Sequence, residues 1–226
     1  MLLKYPDFEN LRRARPESLR RFFYAHHFRR PDQLKKRLAL LAAAEPLTRD
    51  RAIIRAGALK ARRLVAQILQ VLNSLGAYDQ EIAQQFKAHP DAAIFESLPG
   101  AGAALAPRLL CALGNDRSRW PSAAALASFC GVAPVVERSG KSFQVHWRWA
   151  CPKFLRQSFH EFAGASLRFC PWAKLYYQTQ LQRGKKHHAA VRALAFKWTR
   201  ILYRCWKDRL PYQNDLYPPA LLAPAH

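Results

Sequence analysis

The sequence predicts a mainly α-helical chain, with a long coiled-coil helix ahead of a compact helical domain that carries a helix-hairpin-helix and one small β-hairpin. Three observations predict it. An apolar seam in steps of four and three runs for more than four heptads without a proline. Prolines stand just ahead of amphipathic stretches, where a missing N–H costs a helix nothing. A two-residue alternation, the period of a half-buried strand, interrupts the helical pattern in one short segment.

The composition narrows the partners. At 226 residues with half of them hydrophobic, the chain can bury a sizeable core and is not a disordered basic tail. Its 37 Lys+Arg against 15 Asp+Glu leave a formal net charge of +22. That excess points to a polyanion, with nucleic acid first and an anionic membrane surface second. No apolar run approaches the roughly 20 residues that span a bilayer, and the N-terminus lacks a signal-peptide pattern. The five cysteines, Cys111, Cys130, Cys151, Cys170 and Cys205, form no C-x-x-C pair. Their odd, scattered count excludes a zinc ribbon and a secreted disulfide framework, so reduced, mostly buried thiols in a cytoplasmic protein are expected.

Residues 1–47 form a basic segment in which "PESLRRFFYAHH" and "PDQLKKRLALLAAA" read as short helices opened by Pro16 and Pro31. In residues 48–89 the seam is Ile54, Ala58, Ala61, Val65, Ile68, Leu72, Leu75, Asp79, Ile82 and Phe86. A helix this long exceeds an ordinary core helix, and a coiled coil pairing two subunits is expected. Residues 90–210 read as one compact domain. Pro90 opens "PDAAIFES", a turn follows, and Pro107 should kink the next helix or delay its start. Pro121 opens "PSAAALASF", which Gly131 closes. Phe143, Val145, Trp147 and Trp149 alternate as a strand that Val132–Val136 can pair with, leaving Arg138–Lys141 as the turn. Helices are expected over 153–168, 172–183 and 187–207, and the proline-rich tail 211–226 should fray.

Three features carry candidate chemistry. "SLPGAG" between two helical stretches has the form of a helix-hairpin-helix. There Gly100 and Gly102 would let a phosphate approach main-chain N–H groups at the start of the second helix. Such a contact positions nucleic acid without reading its sequence. Between Arg138 and Arg209 there are 16 Lys+Arg and two acids, interleaved with aromatic residues, which suits phosphate contacts with base or sugar stacking. The candidate DNA-binding residues are Gly100, Gly102, Arg108, Arg138, Gly140, Lys141, Arg148, Lys153, Arg156, Lys185, Lys186 and Arg192. Most of the tryptophans are expected in the core. Taken alone, "RSGK" reads as a hairpin turn whose serine caps it, since a serine is a poor nucleophile without activation.

The run "SLPGAGAALAPRLLCALGNDRSRWPSAAALASFCGVAPVVERSGKS", with "HWRWACPKFLRQSFHEFA" and "GKKHHAAVRALAFKWTRIL", resembles the C-terminal domain of a class of bacterial insertion-element transposases. Members of that class join a resolvase-like nuclease domain, with four metal-binding acids, to a coiled coil and a serine-bearing transposase domain. One branch uses a structured bridge RNA to choose target and donor DNA. The resemblance implies that Ser139 attacks a DNA phosphodiester; with Ser139 in that role, Arg138 and Lys141 are expected to clamp the reacting phosphate, and Gly100 and Gly102 to hold the flanking backbone. It also implies a DNA-binding recombinase associated with the bacterial nucleoid.

The departure lies at the start of the chain. No early D…E…D…D set is present among the scattered acids, so a truncated member lacking the nuclease domain is expected. No cofactor is expected in this chain, Mg2+ belonging with the nuclease carboxylates. Expected partners are DNA, a structured guide RNA, and either a second copy or a full-length transposase bound through the coiled coil. The alternative function is a non-catalytic nucleic-acid-binding module that pairs with, or inhibits, a complete transposase.

Overall fold

The computed structural model describes residues 1–140, 142–146 and 148–216. The fold is mainly α as expected, with ten α-helices and one two-stranded antiparallel sheet among the described residues. It divides into two compact units, Met1–Asp79 and Gln80–His226.

In the first unit, α1 (Phe8–Arg13) is a helix that no proline announces. Asp7 caps it, its Oδ1 accepting the Asn10 N–H at 2.8 Å. Helices α2 (Pro16–Ala25) and α3 (Pro31–Ala43) each begin on the expected proline and bury Leu19 and Leu34. The long helix α4 runs over Arg51–Ala88. It starts a few residues past Thr48 because the Asp50 carboxylate accepts the Ala52 N–H at 2.7 Å. Along its seam Ile54, Ala58, Ala61 and Val65 are half-buried, whereas Ile68, Leu72 and Leu75 are exposed at 57%, 56% and 52%. No helix among the described residues is long and apolar enough to cross a membrane.

The second unit contains α5 (Ala92–Glu96), α6 (Gly102–Leu113), α7 (Ala123–Phe129), β1 (Val135–Ser139), β2 (Ser142–His146), α8 (Lys153–Ser166), α9 (Pro171–Gln182) and α10 (His187–Asp208). Helix α10 packs against α7, α8 and α9, while α6 packs against α5 and α8. The stripe Val191, Leu194, Trp198, Ile201 and Cys205 is buried. Trp198 lies 4.6 Å from the Trp172 ring and 5.0 Å from that of Phe162. Each of these buried indoles has a partner for its N–H. Trp120 donates to the Leu113 carbonyl, Trp172 to the Tyr212 hydroxyl, Trp198 to Ser166 Oγ and Trp206 to the Gly114 carbonyl, at 2.8–2.9 Å. Cys130, Cys170 and Cys205 are buried free thiols, and burial pushes the Cys130 thiol up to about 12. Cys111 is exposed.

Four local expectations are corrected. Helix α6 passes continuously through Pro107, so its start is not delayed. The N–H that Pro107 lacks would have served the carbonyl of Ala103, an exposed first-turn residue that water can reach. Helix α7 is opened by Ser122, whose Oγ accepts the Ala125 N–H at 3.1 Å, rather than by Pro121. In the hairpin, Arg138 and Ser139 are strand residues. They face Phe143 and Ser142, so the turn is narrower than Arg138–Lys141. The start of the tail is anchored, since Tyr212 is buried and its N–H donates to Ser97 Oγ at 2.7 Å. Residues 217–226, Trp147 and Lys141 lie outside the described residues.

Candidate nucleic-acid interface

The β-hairpin leaves β1 through a glycine, the residue that takes a positive φ without steric cost. Gly140 adopts φ 54°, and nothing lies within 4 Å of where its side chain would be. Ser139 ends β1, exposed to solvent. Strand alternation puts Glu137 and Ser139 on one face and Arg138 on the other. These three residues and Gln144 still border one shallow hollow at the hairpin end. Glu137 is held by His146 across the hairpin, Oε2 to Nε2 at 3.2 Å.

A second feature lies where the Gly131–Pro134 segment meets α8 and α10. A groove of about 490 Å³ is bordered there by Lys153, Arg156, Gln157, His160, His188 and Arg192. A neighbouring hollow of about 540 Å³ is bordered by Arg148, Tyr176, Lys185 and Arg192, with Val136, Val145 and His146 of the hairpin at its margin. Arg192 is common to both. The side chains reach the groove by helical spacing. Lys153, Arg156, Gln157 and His160 stand three or four apart along α8, and His188 and Arg192 four apart along α10.

The electrostatics are those of converging cations. His160 is held below the usual imidazole range, first by burial, then by repulsion from His188 and Arg192. The Arg192 guanidinium is likewise lowered by burial and by Arg156. Imidazole and guanidinium groups in one concavity form a hydrogen-bond-donor surface suited to a phosphate oxygen. Among the described residues no three His, Cys, Asp or Glu side chains converge as metal ligands. The described residues thus offer no carboxylate set for the Mg2+ that the resemblance places on a nuclease domain.

The structure brings Lys153, Arg156 and Arg192 together, with Arg148 and Lys185 beside them. The Lys185 ammonium also donates to Gln180 Oε1 at 2.6 Å, and Lys186 is exposed at the N-cap of α10. Arg108 plays a different part. Its guanidinium donates to Ser158 Oγ at 3.0 Å and Glu161 Oε2 at 2.8 Å and lies 4.7 Å from the Phe154 ring, bracing α6 against α8. Gly100, at φ 85°, is required by packing: an added Cβ would come within 2.9 Å of the Ala165 backbone at the end of α8. Gly102, at φ 55°, is exposed with open space around it. Neither glycine borders the groove. Sequence reasoning missed Gln157, His160, His188 and Tyr176. For the first three the signal was the four-residue spacing from Lys153, Arg156 and Arg192 along α8 and α10, whereas Tyr176 stands on α9 with no such spacing.

Residues 92–178 match a family model described as the transposase IS116/IS110/IS902 family. The mini-circle IS117 candidate transposase of Streptomyces coelicolor is 31% identical over 167 residues, 70% of this chain and 40% of that protein. An uncharacterized 42 kDa protein of insertion element IS900 from Mycobacterium paratuberculosis is 31% identical over 151 residues, 66% of this chain and 38% of its own length. An uncharacterized 43.6 kDa protein of insertion element IS110 from S. coelicolor is 30% identical over 154 residues, 68% and 38% of the two chains. The alignments thus span about two fifths of the length of these curated relatives.

Proposed function

Residues 92–178 match the model of the IS116/IS110/IS902 transposase family, and on that premise we propose that the chain acts in DNA transposition, with the groove on α8 and α10 holding DNA phosphates and Ser139 as the nucleophile. The exposed Ser139 hydroxyl at the end of β1, beside Arg138, is the observation that carries the reading. In the reaction, Ser139 Oγ attacks phosphorus and loses its proton to water. The phosphorus–oxygen bond to one deoxyribose breaks, and that oxygen leaves as a hydroxyl after taking up a proton. A strand hydroxyl attacking the phosphoserine link reverses the step and rejoins DNA. The net charge of +22 exceeds what one groove uses, and a structured guide RNA is the second polyanion proposed for the remaining cations.

The apolar seam of α4 supports pairing with a second copy of the chain. Ile68, Leu72 and Leu75 keep heptad spacing and lie more than half exposed in the single chain. The same seam supports a second reading, a DNA-binding module that pairs with a complete transposase. The two are separated by incubating the chain with nicked or junction DNA, with and without Mg2+, and looking for a denaturant-resistant protein–DNA adduct. An adduct that Ser139→Ala abolishes supports the nucleophile. Binding without adduct supports the module.

A further inference from the structure

We propose that Trp149 is a stacking platform for one unpaired nucleobase, so that the second unit engages single-stranded nucleic acid as well as duplex. The inference rests on the nucleic-acid reading above and adds to it a ligand that the groove alone does not select. Trp149 is 81% exposed, whereas Trp120, Trp172, Trp198 and Trp206 are each exposed by 7% or less. A ring this large gains by folding back onto apolar surface, so its exposure calls for a cause.

The backbone beneath it supplies one. The segment after β2 is tied down on both sides of the ring. The Cys151 N–H donates to the Trp149 carbonyl at 3.0 Å. The Cys151 thiol, at 3.4 Å, and Arg156 Nη1, at 3.3 Å, both donate to the Arg148 carbonyl. Cys151 in turn packs against the backbone of Gly131, where any Cβ would collide with its sulfur. The indole is therefore carried on a braced turn, which leaves only its own side-chain torsions to be ordered when a ligand arrives.

Its neighbours specify the chemistry. Arg148 and Arg156, which hold the turn, border the two adjoining hollows together with Lys153, Lys185 and Arg192. An aromatic face beside a cationic track is the arrangement that binds a single strand, with phosphates on the cations and a base on the ring. A duplex keeps its bases stacked internally and offers the ring none. DNA and RNA strands share this chemistry.

The test measures binding of the full chain to a short labelled oligothymidylate, an oligouridylate of equal length and a matched duplex at one salt concentration. Trp149→Ala should weaken both single strands roughly 5- to 150-fold, the worth of one stacked base, and change duplex affinity less than twofold. Trp149→Phe should retain most of the affinity. Single strands should also quench a fluorescence component of the wild type that Trp149→Phe lacks, with circular dichroism confirming that both variants fold. Equal losses on single strand and duplex, or no loss on either, overturn the proposal. A changed sedimentation coefficient for Trp149→Ala with unchanged nucleic-acid affinity assigns the ring to a protein partner and also overturns it. In those cases the wild type still binds duplex and the transposase reading stands. A wild type that binds no nucleic acid defeats both.

Discussion

Arg117 meets Asp91 through two hydrogen bonds of 2.7 Å, Nη1 to Oδ2 and Nη2 to Oδ1, and its guanidinium lies 4.6 Å from the Trp206 ring. The pair links the start of α5 to the loop after α6, with side chains only 10% and 17% exposed. Removing one partner leaves a nearly buried charge uncompensated, so Arg117→Met should cost about 3–5 kcal/mol in denaturant unfolding. The hydrogen bond from Arg117 holds the Asp91 carboxyl below its ordinary value of 3.8. A depressed carboxylate stabilises the fold above the unfolded pKa and loses that contribution as pH falls through the folded one. Stability should therefore decline below about pH 4, with a shallower acid limb in Asp91→Asn. An unchanged limb in that variant would sink the assignment.

Gly100 and Gly102 should respond differently to the same substitution. Both have positive φ, which costs an alanine on the order of 1–2 kcal/mol. At Gly100 the new methyl also meets the α8 backbone at 2.9 Å, whereas at Gly102 it meets open space. Gly100→Ala should thus lower the thermal midpoint well beyond Gly102→Ala. Equal shifts would remove the packing explanation.

The groove cations should be visible in the salt dependence of duplex binding. Every phosphate left without its cation reduces the log–log slope by about 0.9, so Arg156→Gln and Arg192→Gln should flatten it. Arg108→Gln should leave the slope unchanged and lower thermal stability, because that guanidinium is engaged with Ser158 and Glu161. A flattened slope for Arg108→Gln would instead place it against DNA.

Leu72 lies 56% exposed on the seam of α4. Leu72→Glu should convert a dimer into a monomer in sedimentation at micromolar concentration, with the second unit still folded by circular dichroism. A wild-type chain already monomeric under those conditions would refute the pairing.

Local signals made most of the helices legible. Pro16 and Pro31 mark the helices they open, and the stripe Val191, Leu194, Trp198, Ile201 and Cys205 is the buried face of α10. The turn was placed too broadly because Arg138 and Ser139 carry no strand signature of their own. Pairing with β2 puts them in the strand. Gly100 read as a ligand contact because the helix end that crowds it is 65 residues further along the chain. Arg108 read as an available cation for the same reason, its partner Glu161 being 53 residues away. The histidines of the groove went unread because a four-residue step to an arginine on one helix does not reveal that α8 and α10 border the same groove.

The position of α10 has a consequence for synthesis. This helix supplies Ala190, Leu194, Trp198, Leu202 and Trp206 to the middle of the core, and Tyr212 closes onto Trp172 and Ser97 only after it. While the nascent chain still holds α10 inside the ribosome, the faces of α7, α8 and α9 that it covers stay open. The second unit therefore completes itself only once those late residues emerge, and chaperones can hold the earlier helices until then.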